Sequence, residues 1–76
     1  MITMELHNVE VFRTNVRQKR QARVLLNKLA KQFPKFKINF DLEDCDKILR
    51  VEGSNVRHEK IAELVTGNGY HCNVLE

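Results

Sequence analysis

The nine residues KFKINFDLE, positions 35–43, decide the fold because apolar and polar side chains alternate at every position. A period of two places the apolar side chains on one face of an extended chain and predicts a half-buried β-strand. These apolar side chains are Phe36, Ile38, Phe40 and Leu42. The polar run Glu43–Asp46 then predicts a turn. Ile48–Glu52 predicts a returning strand with Leu49 and Val51 facing inward, so the centre of the chain is expected to form a β-hairpin.

A helix is predicted before this hairpin, from Asn15 to Gln32. At the helical period its apolar side chains fall within one arc of about 100°, the pattern of an amphipathic helix. They are Ala22, Leu25, Leu26, Leu29 and Phe33. Asn15 is a good N-cap, and Gln18 three residues later completes a capping-box pattern. Pro34 ends the helix.

Three further elements are predicted outside these two. A first strand is expected at about Met4–Arg13, with a bulge near His7–Asn8 or a late start, because Leu6 is out of phase with the valines that follow. Beyond the hairpin we expect a turn at Gly53–Asn55, a second helix at about Val56–Thr66, a left-handed C-cap at Gly67, and a last strand at Tyr70–Leu75.

The resulting order is strand, helix, strand, strand, helix, strand. Right-handed crossover connections restrict the topologies that such an order can adopt. We therefore expect an α+β, ferredoxin-like βαββαβ sandwich, with a four-stranded antiparallel sheet in the order 4-1-3-2 and two helices on one face. With 76 residues and no linker or repeat, the chain is expected to be a single domain over residues 1–76.

Charge is distributed unevenly along the chain. Residues 1–40 hold nine Lys and Arg against two acids, a net charge of +7, whereas residues 41–76 hold four bases against eight acids, a net charge of −4. Such asymmetry is informative about partners more than about fold. No stretch is apolar enough to predict a membrane span or a signal peptide. Two cysteines are too few for a disulfide framework, which favours a reduced, cytoplasmic setting.

In the order and length of its elements the chain resembles heavy-metal-associated domains, the class that includes soluble copper chaperones and the amino-terminal domains of copper ATPases. Those domains carry a Met-Thr-Cys-x-x-Cys loop between the first strand and the first helix, where this chain reads RTNVRQ at 13–18. Residues 22–29, ARVLLNKL, are similar to the family's first helix, 38–43, INFDLE, to its second strand, and Gly69-Tyr70 to its Gly-aromatic pair. The resemblance covers nearly the whole chain.

The resemblance implies a metal-binding loop, but Asn15 and Gln18 stand at the positions of the two ligand cysteines. Cu(I) prefers soft thiolates, and neutral carboxamides are hard, weak donors. We therefore expect the metal site to be lost and no cofactor to be bound.

An alternative is metal binding or trafficking through Cys72, His71 and Cys45, which the predicted topology brings to one end of the fold. Against it, Cys45 and Cys72 are expected near opposite edges of the sheet, on the order of 14 Å apart. Cys72 is expected to be a buried small hydrophobe and Cys45 an exposed turn residue.

The polar face of the first helix is the surface most suited to a partner. Its basic residues lie on an arc of about 140° opposite the apolar stripe, and one apolar residue lies among them. The candidate partner-binding residues are Arg17, Arg20, Arg23, Val24, Lys28 and Lys31. We expect a protein partner or self-association, through this face or through an exposed edge of the sheet.

Other classes of function are disfavoured. No Ser/His/Asp set and no paired carboxylates in a cleft can be identified, so we expect no enzymatic activity. RNA-recognition domains share the topology and stack bases on aromatic side chains of their central strands. Residues 47–52, KILRVE, contain no aromatic residue, so specific nucleic-acid binding is not expected. The sequence thus favours a non-enzymatic binding module that resembles a heavy-metal-associated domain without its metal site.

Overall fold

The computed structural model describes residues 7–75 and has the predicted α+β architecture. The elements are β1 (His7–Thr14), α1 (Lys19–Gln32), β2 (Lys37–Asp41), β3 (Ile48–Ser54), α2 (His58–Gly67) and β4 (Cys72–Val74). The four strands form one sheet in the order β2-β3-β1-β4, and every neighbouring pair is antiparallel. This is the predicted order 4-1-3-2 read from the other edge, so the ferredoxin-like topology is confirmed.

One hydrophobic core lies between the sheet and both helices. Its centre consists of Phe12 from β1, Leu49 and Val51 from β3, and the buried faces of α1 and α2. From the helices it receives Ala22, Leu25, Leu29, Ile61 and Val65. The inward orientation predicted for Leu49 and Val51 is confirmed, and Ile38 and Phe40 of β2 are half-buried beside them.

Of the two alternatives predicted for the irregular start of β1, a bulge near His7–Asn8 or a late start, the bulge is wrong. β1 pairs with β3 without a break from His7 to Arg13, and the segment Met4–Leu6 lies outside the described residues. The alternation was misleading because a polar residue, Asn8, occupies a position that faces the helices. Its side chain accepts a hydrogen bond from the backbone N–H of Val56 at 2.9 Å and donates one to the Val56 carbonyl at 3.0 Å. Val9 lies on the opposite, open face and is exposed.

The same pair of bonds explains why α2 begins at His58 and not at Val56. Val56 is buried and its backbone is held by Asn8, so the helix starts two residues later. At the other end the predicted left-handed cap at Gly67 is wrong, because Gly67 is still helical. The left-handed glycine is Gly69, with a φ of +92°. The last strand is shorter than predicted and spans Cys72–Val74.

Glycine is required at position 53 by a close approach between β3 and an aromatic ring. The predicted turn at Gly53–Asn55 begins later, because β3 continues through Ser54. The ring of Phe36 lies over Gly53, and a Cβ added there would be 2.5 Å from Cδ1 of Phe36. Phe36 is itself stacked on Phe33, with ring centroids 5.4 Å apart. This stack closes the core beneath the end of α1.

We expect Gly53→Ala to lower the free energy of unfolding by about 1–3 kcal/mol, because the new methyl group overpacks a site already filled by Phe36. Gly67→Ala is the matched control: an added Cβ meets nothing within 4 Å. Its free energy of unfolding should stay unchanged or rise by up to about 1 kcal/mol. Urea denaturation followed by circular dichroism measures both. Equal stability of Gly53→Ala and wild type would contradict the contact.

Candidate functional site

Three connections meet at one end of the sheet, as predicted, and Thr14 joins two of them. Its backbone N–H lies 3.2 Å from the carbonyl oxygens of Asp46 and Lys47, and its hydroxyl donates to the Lys47 carbonyl at 2.6 Å. The same hydroxyl accepts from the N–H of Val16 at 3.2 Å. These bonds fix the end of β1 against the hairpin that connects β2 and β3.

Asn15 has a different role from the predicted N-cap, and that prediction is wrong. Its Oδ1 accepts a hydrogen bond from the backbone N–H of His71 at 2.8 Å, which ties the β1–α1 loop to the segment before β4. The side chain of Val16 is buried in the core, which holds the backbone at this point and prevents it from forming the first turn of the helix. Helix α1 therefore begins only at Lys19.

Gln18 is the N-cap of α1, with an extended backbone, and it shares a capping box with Gln21 and not with Asn15. Oε1 of Gln21 accepts from the N–H of Gln18 at 3.3 Å and of Arg17 at 3.4 Å. Asn15 therefore bridges two loops, and Gln18 is the residue at which α1 is capped. Both positions have structural roles, and neither supplies a thiolate.

The three alternative metal ligands do not form a common group within residues 7–75. Cys72 is only 8% exposed and lies opposite Thr14 in the sheet, whereas Cys45 and His71 are exposed. The burial predicted for Cys72 and the exposure predicted for Cys45 are both confirmed. Burial raises the pKa of the Cys72 thiol from its ordinary value of 9.0 to about 11, which disfavours the thiolate that a metal would need.

Cys45 instead lies among acids in the hairpin turn. One potential ligand atom from each of Asp44, Cys45 and Asp46 falls within 4.8 Å of the others. The carboxylates already have structural partners: Asp44 accepts from the N–H of Asp46 at 2.8 Å, and Asp46 lies 3.4 Å from Arg13. Together with an exposed position, this indicates a solvated turn held by its own side chains.

The surface of α1 that was predicted to bind a partner is exposed to solvent in the structure. Its candidate residues Arg17, Arg20, Arg23, Val24, Lys28 and Lys31 are all exposed. Val24 is 49% exposed, and among the large hydrophobic residues of the described part of the chain only Val24 and Val9 are exposed. Lys28 donates to Oδ1 of Asn68 at the side of the face next to α2. The other four bases form no ion pair within residues 7–75, so their charge is not compensated locally.

A groove between α1 and β2 was not anticipated from the sequence. Its volume is about 460 Å³, and it is lined by Lys19, Ala22, Arg23, Leu26, Asn39, Phe40, Asp41, Leu42 and Glu43. The signal was present in the helical pattern, where Leu26 lies at one margin of the apolar stripe and Lys19 and Arg23 lie just beyond it. The groove has an apolar floor, basic residues on its helix side and acidic residues on its strand side.

Phenylalanine and tyrosine side chains are absent from the open face of the sheet. Phe12 is fully buried, and the remaining aromatic residues, Phe33, Phe36, Phe40 and Tyr70, pack against the core. All five aromatic residues of the chain lie within the described residues. The open face around Val9 therefore has no phenylalanine or tyrosine ring on which a nucleic-acid base could stack, and the exposed imidazole of His7 is its one ring within residues 7–75.

No protein-family model, no curated protein and no solved structure matches this chain. Among residues 7–75, neither α1 nor α2 combines the length and the hydropathy that a transmembrane helix requires.

The raised pKa of Cys72 predicts a loss of stability at high pH. Because the thiol ionises more readily in the unfolded chain, its contribution to the free energy of unfolding is complete below pH 9 and declines as the pH approaches 11. Wild type should lose more stability across this window than Cys72→Ala, as measured by urea denaturation.

At pH 8, iodoacetamide should alkylate Cys45 and spare Cys72 in the folded protein. Equal alkylation of both, measured by mass spectrometry, would contradict the burial of Cys72.

Proposed function

We propose that this domain is a non-enzymatic binding module whose outer α1 face binds an acidic protein surface. The observation that carries the proposal is the exposed Val24, which lies among basic residues that have no acidic partner in residues 7–75. The four bases of this surface are Arg17, Arg20, Arg23 and Lys31. We refer to these four residues and Val24 as the basic face. Metal transport, catalysis and sequence-specific RNA binding have less support from the residues at hand.

The position of the charges within α1 supports this proposal. The first turn of the helix contains Lys19 and Arg20 and no acid, and Arg17 precedes it. A helix N-terminus carries partial positive charge, so each such cation is disfavoured by about 0.3–1 kcal/mol near it. An anionic partner at this face would relieve both the repulsion among the bases and their repulsion from the helix dipole. The charge is therefore better suited to binding than to the stability of the isolated domain.

Val24 favours a protein over a bare polyanion as the partner. A polyanion is attracted by the bases alone, whereas an apolar side chain between bases gains from a contact that excludes water. Interfaces typically surround a small apolar centre with a polar rim. The complementary surface would present one apolar side chain flanked by Asp or Glu.

The resemblance to heavy-metal-associated domains leads to a second part of the proposal, which concerns the origin of the β1–α1 loop. We infer that the β1–α1 loop corresponds to the metal loop of that family with its thiolates replaced by Asn15 and Gln18. The Asn15 carboxamide bonds to the backbone of His71, and Gln18 is the N-cap residue of α1, so each position has a role that does not require a metal. The surface beside the loop remains available for a protein partner.

Restoring the thiolates tests this part of the proposal. Wild-type protein titrated with Cu(I) against a competing chelator should show no NMR amide shifts at sub-micromolar free metal, because thiolates are the preferred ligands. The double variant Asn15→Cys/Gln18→Cys should bind Cu(I) in the same assay. Failure of the folded double variant to bind would remove the support for a family-like loop.

Shifts in wild type at His71 and Cys72 would instead favour the alternative metal ligands. Cys72→Ser would then abolish metal uptake, whereas under the present proposal it should only perturb packing in the core.

The basic face is tested with a defined probe, a synthetic peptide that presents one Leu between runs of Asp and Glu. Reversing two charges, Arg20→Glu/Lys31→Glu, should weaken binding by about tenfold or more, equivalent to about 1.4 kcal/mol. The matched control is Arg57→Glu/Lys60→Glu at the start of α2, where Arg57 is the N-cap and Lys60 is in the first turn, and it makes the same change in net charge at exposed positions. It should change the affinity less than about threefold, since long-range charge effects are screened by salt. NMR amide shifts locate the bound peptide.

Val24→Ala separates a protein partner from a polyanion. It should weaken peptide binding by about threefold or more, and leave binding of a single-stranded RNA probe unchanged, because only the peptide offers an apolar contact. The proposal is overturned if the two double variants lose equal affinity. It is also overturned if RNA binds more tightly than the peptide and Val24→Ala affects neither.

A further inference from the structure

β2 is an edge strand whose outer side has no partner. It pairs with β3 on one side only, and no backbone bond within residues 7–75 occupies the other side of Lys37–Asp41. Ile38 and Phe40 of this strand are only half-buried, although they contact the core. An edge with free N–H and C=O groups is a template for another strand. The charged side chains along the edge determine whether such pairing is attractive or repulsive.

That charge is arranged in two blocks about Asn39. Lys35 and Lys37 precede Asn39, and Asp41 and Glu43 follow it at the same spacing. All five residues are exposed, and the four charged ones form no ion pair within residues 7–75. Oδ1 of Asp41 accepts from the N–H groups of Glu43 and Asp44 in the turn, which leaves its other oxygen free.

We propose that two copies of this chain associate through β2, antiparallel and centred on Asn39, and so join their sheets into one. In this register Lys37 of each copy faces Asp41 of the other, and Lys35 faces Glu43. On the helix side, Ile38 of each copy faces Phe40 of the other. Opposite charges and apolar residues that face each other across antiparallel strands stabilise the pair by about 0.2–1 kcal/mol each. A two-fold axis repeats every such pair.

A second copy fits this edge better than an unrelated strand, because the pattern is complementary to itself in one orientation. Parallel pairing in register would place Lys37 against Lys37 and Asp41 against Asp41, which is repulsive. An edge that carries charge of one sign repels its copy in every register. The edge of β2 carries both signs in the order that an antiparallel copy requires.

The groove between α1 and β2 lies along the same edge. Phe40 and Leu42 form part of its floor with Leu26, and the free edge of β2 is one of its walls. A second β2 strand would cover part of this apolar surface, which is the main favourable term in association. Arg23 lines this groove and also belongs to the basic face, whereas the other members of the basic face, among them Arg20 and Lys31, do not line the groove. Pairing through β2 therefore does not require Arg20 or Lys31. Dimerisation through β2 and binding of an acidic partner are therefore separate proposals, and an experiment can contradict one of them without contradicting the other.

A charge-swap experiment by analytical ultracentrifugation tests the dimer and its register. The full chain should show a concentration-dependent monomer–dimer equilibrium. Lys37→Glu alone and Asp41→Lys alone should each weaken dimerisation by about tenfold or more, because two attractive pairs become repulsive. An equimolar mixture of the two variants should recover a dimer, since the Glu introduced in one chain then faces the Lys introduced in the other. Antiparallel Lys37–Asp41 pairing predicts both the wild-type dimer and this recovery, whereas parallel pairing in register predicts recovery in the mixture but repulsion between wild-type chains.

Controls on α2 make the same changes of net charge at exposed positions remote from β2. Lys60→Glu should dimerise like wild type, and so should Glu63→Lys. Circular dichroism checks that each variant is folded, since Asp41 also holds the hairpin turn.

A second measurement does not depend on charge. In a Cys45→Ser background, Asn39→Cys should form an intermolecular disulfide, because facing residues at the two-fold axis have Cα atoms about 4.5–5.5 Å apart, within disulfide range. Glu63→Cys in the same background should not. The proposal is overturned if wild type stays monomeric at millimolar concentration. It is also overturned if the mixture of Lys37→Glu and Asp41→Lys shows no more dimer than either variant alone.

Discussion

The structure depends on the bonds made by Thr14 at the end of the central strand β1. This residue is only 7% exposed, and its backbone and hydroxyl bind the chain at Lys47 while its hydroxyl also accepts from Val16. If the buried hydroxyl lost these hydrogen bonds, the free energy of unfolding would fall, because an unsatisfied polar group would remain in the core. The hydrogen bonds therefore favour this one arrangement of the chain. It positions the hairpin, directs Val16 into the core and delays the start of α1 to Lys19. The junction therefore lies between the hairpin turn and the start of α1, the helix that carries the basic face.

The parts of the fold that could be predicted were those whose pattern repeats along the chain. The alternation in β2 and the apolar stripe of α1 each depend on several residues, and both predictions are confirmed. The errors occurred at single positions whose role depends on distant residues. Asn15 was an acceptable N-cap by local preference, but its side chain bonds to His71, and no local pattern contains that information. Asn8 broke the alternation of β1 for the same reason, because its partner is Val56.

The candidate surfaces were predictable to a similar extent. Exposure of the basic stripe followed from the helical period, and burial of Cys72 followed from its strand. The groove was not predicted because it forms only when α1 packs beside β2. A helical-wheel projection of α1 alone does not show which residues of β2 contact the margin of its apolar stripe. Leu26 illustrates the point, since it was assigned to the core stripe and is also part of the groove floor. The uneven charge seen in the sequence thus resolves into two adjacent surfaces, the basic face of α1 and the mixed edge of β2.

The two edges of the sheet differ greatly in length, and this difference bears on how far assembly could proceed. β2 offers five residues along its free edge, whereas β4 has only the three residues Cys72–Val74. Copies that joined β2 to β4 could add to one another without limit and grow into a fibre, whereas a two-fold contact between identical edges is closed once made. A very short edge offers few free backbone groups to an incoming strand. Pairing of two β2 edges about a two-fold axis would therefore give a finite assembly, whereas pairing of β2 with β4 would give a polymer.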